Sequence, residues 1–305
     1  MNDQRKFSQK SQFESTAAGL LARAPAKINL ALLIADKRPD NYHNLETIMH
    51  KITFYDELLF EKTKQTGIEL TCNGLWSPAG RENLVYKAAD FFYQTLGQQP
   101  QIKITLTKNI PAGSGLGGAS SDAATTLLAL NKIHDNPLTD SQLHELTARL
   151  GSDVSFFLAG PMAYCTGRGE KITKIVQNFQ FSAILILPNI NVSTKMIYDN
   201  FKVDLPLFQT LKQQIKSLLF KNRVDLIAKM CANMLAKTCF LLNNDLALLK
   251  VKIEQLCRMP VALSGSGCAM FVIVAREDHC NTDLFQREII NTFDCNCIIV
   301  FDNQW

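Results

Sequence analysis

The chain has 305 residues, 47 % of them hydrophobic and 20 % charged, an ordinary globular balance. Its net charge of +4 is small for that length and argues against a dedicated nucleic-acid surface, while a mildly positive cleft would suit an anionic small molecule. At this length two hydrophobic cores are a better expectation than one.

In chain order, residues 1–22 are polar and lack the apolar stretch of an export signal, so a disordered extension is expected. Without export, the protein belongs in a cytoplasm with its nine cysteines as reduced thiols. Alternation predicts strands over 27–34 and 68–72. Asn83 can cap a helix over 84–96 that Gly97 ends. A strand through Ile102, Ile104 and Leu106 should stop near Asn109, and a helix should begin near Ser120. Thr139 and Gln142 form a capping box ahead of a helix ending at Gly151. The apolar run 183–187 is far too short to span a membrane. Helices follow over 195–201, 207–220, 224–236 and 244–256, then strands over 261–263, 269–274 and 297–301 around a helix over 283–292. The class is α/β, divided near residue 180.

The most informative segment is Pro111-Ala112-Gly113-Ser114-Gly115-Leu116-Gly117-Gly118-Ala119-Ser120-Ser121, placed between that strand and helix. Glycines let backbone N–H groups approach a bulky anion, and the next helix presents its positive end there. Polyphosphate is the expected guest. A Walker loop would need a lysine after the glycines, and there is none. Gly113, Gly115 and Gly118 match a dinucleotide loop, but the preceding strand alternates and no carboxylate closes a second strand about 20 residues on.

The order of this loop resembles the phosphate loop of the GHMP small-molecule kinases. Three other segments resemble motifs of that family in the right order: Ala24-Pro25-Ala26-Lys27-Ile28-Asn29, Leu150-Gly151-Ser152-Asp153 and Leu263-Ser264-Gly265-Ser266-Gly267. The resemblance implies a ribosomal-protein-S5-like N-terminal domain (23–180) that binds ATP and a ferredoxin-like C-terminal domain (181–305). It implies ATP as co-substrate, with Mg²⁺ on its phosphates; no Asp/Glu cluster identifies protein ligands, although Ser121 offers a hydroxyl. Ser264, Gly265, Ser266 and Gly267 would close over the same phosphates.

Asp153 is the general base that the resemblance supplies, while on residues alone it equally reads as a cap for the apolar run 154–158. Lys27, within an alternating segment, reads alone as a solvent-facing lysine, and the family places it beside that aspartate. Lys108 and Asn83 would lie near the adenine, each with a plain alternative as surface lysine and helix cap. Tyr42 and His43, following Arg38-Pro39-Asp40-Asn41, resemble the acceptor-reading pair of the branch whose acceptor is a cytidyl diphosphate of methylerythritol, in the non-mevalonate route to isoprenoids. There the aromatic stacks on cytosine and its neighbour reads the base edge. Tyr198 aligns with a second aromatic on the opposite face, or else is a helix-face core residue. Asn29, two residues after Lys27 on a strand, should reach the same cleft. Asn41 stands where the family commonly has glycine.

The expected partners are therefore a small cytidyl diphosphate substrate and ATP, with no nucleic acid and no membrane, in a monomer or homodimer. Homoserine, mevalonate or a sugar as acceptor is the alternative within the superfamily. A nucleotide-binding regulator that has lost catalysis is the alternative outside it, and retention of both Lys27 and Asp153 speaks against that.

Overall fold

The computed structural model describes residues 10–40, 42–177, 179–274, 279–293 and 295–305. Strands β1 (Phe13–Ser15), β2 (Leu20–Lys37), β3 (His43–Lys62) and β4 (Gly67–Gly74) lead into α1 (Leu84–Leu96), β5 (Gln101–Lys108), α2 (Gly118–Ile133) and α3 (Asp140–Leu150). A hairpin of β6 (Met162–Gly167) and β7 (Lys171–Lys174) follows. Next come β8 (Ser182–Pro188), α4 (Thr194–Asn200), α5 (Leu205–Phe220), α6 (Val224–Met230), β9 (Ala232–Asn233), α7 (Ala236–Leu242) and α8 (Asn244–Cys257). The chain finishes with β10 (Ala262–Leu263), β11 (Met270–Val274), α9 (His279–Thr292) and β12 (Cys295–Phe301).

One sheet runs β1-β2-β3-β5-β4, with β6 on a different stretch of β3, β7 on β6, and β9 added to β2. Strand β3 is long enough to serve two neighbours: Glu57 to Lys62 pair with β5, and Leu45 to His50 pair with β6. The other sheet, β10-β11-β8-β12, is wholly antiparallel. Strand β2 is buried from Ala22 to Ala35 because α2 packs on it as well as α5 and α6. Its pairing with β3 slips between Pro25 and Ala26 and again between Asn29 and Ala31. Such bulges re-aim side chains, and these two flank Lys27 and Asn29.

Local signals in the sequence appear as caps. Asn83 accepts from Val85 N–H, Gly97 ends α1 at φ 64°, and Thr139 and Gln142 form the capping box of α3. Two expectations need correction. The disordered extension over 1–22 is too long, because Phe13–Ser15 pairs with Leu20 to Ala22 as a sheet edge; residues 1–9 lie outside the described part. The single helix over 224–236 is divided: Cys231 turns left-handed at φ 48°, and Ala232–Asn233 then adds to β2 as a parallel strand. Among the described residues no helix is long and apolar enough to cross a membrane.

Candidate active site

The loop between β5 and α2 meets the Leu263–Cys268 loop of the other sheet, and a cleft of about 470 Å³ opens beside them. Gly113, Gly115 and Gly117 all have positive φ, at 70°, 85° and 72°. Their surroundings differ. A Cβ on Gly115 would lie 2.0 Å from Ser264 O, and one on Gly267 would lie 2.0 Å from Ser114 C, so these two glycines let the loops touch backbone to backbone. A Cβ on Gly117 would meet Phe157 at 3.0 Å and Lys27 at 3.1 Å, whereas Gly113 faces open space. The Ser264 hydroxyl locks the contact by donating to Gly115 O at 3.0 Å. The positive end of α2, a 16-residue helix, points its free N–H groups toward this loop.

Pro111 to Gly115, Gly117 to Ser120, Gly265 and Ser266 line the cleft. Leu116 and Ser121 are fully buried, and Ser264 and Gly267 fasten the two loops together. Ser121 Oγ has no protein partner.

Lys27 is 3 % exposed, and its ammonium donates to Asn29 Oδ1 at 2.6 Å and to Gly115 O at 2.7 Å. Asn29 passes the chain on to Thr47 Oγ1, which donates to Ala31 O. Burial lowers the Lys27 pKa, and Asp153 is the strongest of the charges that oppose this. Asp153 lines the cleft with Lys27 and Asn29. It does not serve as a cap: the turn at Ser155–Leu158 has Val154 at that position and no side-chain cap bond. Among the described residues no hydrogen bond or ion pair engages its carboxylate, which leaves it available to a ligand.

Lys108 and Asn83 line the other end of the cleft, yet their polar atoms are already engaged. The Lys108 ammonium is held by Asp56 and by Asp122 Oδ2 at 2.7 Å. Asp56 also accepts from Asn109 N–H and Ile110 N–H at 2.6 and 2.8 Å, fixing the start of the loop. Burial and the neighbouring Asp56 push the Asp122 carboxyl well up, with Lys108 opposing. Asn83 caps α1 with one end of its amide and donates to Pro78 O with the other, at 2.8 Å.

Of the residues expected to read the acceptor, Tyr198 lines the cleft, while Tyr42 and His43 do not. His43 packs on Tyr198 at 5.8 Å and on Phe201 at 6.1 Å between centroids. Tyr198 lines the cleft, and burial, then Asp153, pushes its hydroxyl up to about 12. Tyr42 is 55 % exposed and lies under the Arg168 guanidinium at 5.1 Å. Tyr42 and Tyr198 therefore face different neighbours and do not touch. Asn41 lies outside the described residues.

Comparison with known proteins agrees with this geometry. The model of the GHMP kinases N terminal domain matches residues 83–161. A 4-diphosphocytidyl-2-C-methyl-D-erythritol kinase of Geobacillus sp. (strain WCH70) is 37 % identical over 258 residues, covering 85 % of this chain and 89 % of the relative. The chain belongs to the 4-diphosphocytidyl-2-C-methyl-D-erythritol kinase family. A crystal structure of a 4-(cytidine 5'-diphospho)-2C-methyl-D-erythritol kinase superposes with TM-score 0.72 at 28 % identity, covering 93 % of this chain and 99 % of that one. Homoserine kinase from Cytophaga hutchinsonii superposes with TM-score 0.74 at 18 % identity, covering 97 % and 98 %, a likeness of fold alone.

For this member of the 4-diphosphocytidyl-2-C-methyl-D-erythritol kinase family, sequence reasoning missed Asp56, Asp122, Thr47 and Lys51. Asp122 directly follows the glycine loop, so its position carried a signal. Asp56 carried none, since only the pairing of Glu57 with Thr107 brings it beside Lys108.

Proposed function

We propose that this chain transfers the γ-phosphoryl group of ATP to the 2-hydroxyl of 4-diphosphocytidyl-2-C-methyl-D-erythritol. The observation that carries the reading is the convergence of the glycine loop, Lys27 and an unengaged Asp153 carboxylate on one cleft. The loop and the α2 N-terminus hold the phosphates through backbone N–H groups. Asp153 takes the proton of the acceptor hydroxyl, whose oxygen bonds to the γ-phosphorus as the bond to the β-phosphate oxygen breaks and ADP leaves. Lys27, anchored by Asn29 and Gly115, stabilises negative charge as it moves onto the transferred group.

Mg²⁺ accompanies ATP and neutralises phosphate charge. One protein atom fits it: Asp122 lines the cleft, and its Oδ1 is buried without a partner. The described residues hold no cluster of three metal-ligating side chains, and Asp122 would hold the ion together with the phosphates. Ser121 Oγ is likewise buried without a partner among the described residues, but Ser121 does not line the cleft.

The acceptor assignment rests on family membership together with Tyr42, His43 and Tyr198, which offer flat faces that homoserine, mevalonate or a sugar would not use. We place the reaction in the cytoplasm, where ATP is supplied, in keeping with free thiols such as Cys72, Cys165 and Cys239. The test is a coupled ADP-release assay over a panel of acceptors. ADP release with the cytidyl diphosphate acceptor, and little with homoserine, mevalonate or galactose, is expected. Efficient turnover of a small alcohol instead would remove the cytidyl assignment.

A further inference from the structure

The acceptor proposed above carries a diphosphate between its cytosine and its reacting hydroxyl, and no residue discussed so far binds it. The turn between β6 and β7 lies in that interval. On one side, Leu45 pairs with Gly167, which brings the turn to the end of β3 where Tyr42 and His43 lie. The Arg168 guanidinium then covers the Tyr42 ring at 5.1 Å. On the other side Gly169 lines the cleft, and a Cβ on it would lie 3.6 Å from Asp153 Oδ1. Arg168 therefore sits between the ring proposed to stack on the base and the carboxylate proposed to take the proton.

Its charge is also free. The Arg168 backbone N–H donates to Glu170 Oε2 at 2.6 Å, but among the described residues no carboxylate lies within 4 Å of the guanidinium. Nearby cations are committed elsewhere. Lys27 is bound by Asn29 and Gly115, and Arg38 by Asp40 and Asn44. Asp40, which feels both Arg38 and Arg168, already has Arg38 as its partner. A guanidinium presents five donors in a planar fork that matches phosphate oxygens, and it stacks on an aromatic face without losing them.

We propose that Arg168 is a specificity-determining residue that binds the diphosphate of the acceptor from its place over the Tyr42 ring; this rests on the cytidyl reading of the cleft. Tyr42 has two faces, and the guanidinium occupies one, so the other is left for the base.

The test compares CDP with cytidine as competitors of the acceptor, in the wild type and in Arg168→Met. In the wild type CDP should compete better than cytidine. In Arg168→Met the inhibition constant of CDP should rise about tenfold or more, as expected for a lost charge-assisted contact, while that of cytidine stays within about twofold. Arg168→Lys should recover part of the CDP advantage, and it carries the comparison if the methionine variant does not fold. ATP affinity should be unchanged in both variants. An equal loss for CDP and cytidine, or no loss for either, overturns the assignment of Arg168. If neither nucleotide competes in the wild type, the cytidyl reading itself fails and takes this proposal with it.

Discussion

Two buried lysines, Lys108 in the lining of the cleft and Lys51 outside it, are shifted in opposite directions. At the donor end, burial alone would lower Lys108, but Asp122 and Asp56 outweigh it and its pKa is raised. Lys51 donates to the carbonyls of Phe157 and Ala159, at 3.1 and 2.7 Å, and burial lowers it to about 7, with Lys174 adding to the effect. Carboxylates return the solvation that an ammonium loses on burial, whereas carbonyl dipoles return only part of it. The donor wall is thus a charge-compensated scaffold for a backbone loop. Lys51, which has no carboxylate partner among the described residues, braces the chain a few residues beyond Asp153.

The largest expected stability effect comes from breaking the compensated cluster. Lys108→Met leaves Asp56 and Asp122 buried together without their shared cation, and should cost about 3–5 kcal/mol in denaturant unfolding. A loss below about 1 kcal/mol would mean that the cluster is not charged as described.

Lys51 sharpens the comparison through pH. Below about pH 7 both the folded and the unfolded chain hold its proton, so stability does not change on its account. Between about 7 and 10.5 the folded chain has released the proton while the unfolded chain retains it, and rising pH therefore favours folding. The stability of wild type relative to Lys51→Met should rise across that window, by at most about 1.4 kcal/mol per pH unit. Parallel stability curves for the two proteins would contradict the shift.

The acceptor end should yield a smaller effect. Tyr42→Ala should weaken the cytidyl acceptor by about 1–3 kcal/mol with ATP affinity nearly intact, and Tyr42→Phe should cost much less because the stacking face remains. Substrate titration under ATP saturation checks this. Equal losses for alanine and phenylalanine would assign the effect to the hydroxyl instead of the ring.

How much of this was legible in the sequence follows from how local each feature is. The glycine loop, the Asn83 cap and the Thr139–Gln142 box are contiguous or nearly so, and their chemistry could be read directly. Strand β3 was not read, although it joins both halves of the first sheet, because its polar residues His50, Lys51 and Asp56 are buried and break the expected alternation. Of these, Lys51 and Asp56 support the site, and their partners lie 52 to 108 positions away. The role first given to Lys108 missed the two carboxylates that engage it, since nothing in a linear pattern places Asp56 beside Lys108. Gly117 was read as making room for phosphate; the structure adds that Lys27 and Phe157 also need that room.

The central claim is that Asp153 is the base for a hydroxyl held in the same cleft as ATP. Asp153→Asn keeps the size of the side chain and removes the basic carboxylate. Single-turnover phosphoryl transfer to the cytidyl acceptor, measured beside ATP affinity in the same samples, should fall about 10²–10⁴-fold with the affinity changed little. Transfer at near wild-type rate in a variant that still binds both substrates would contradict the account.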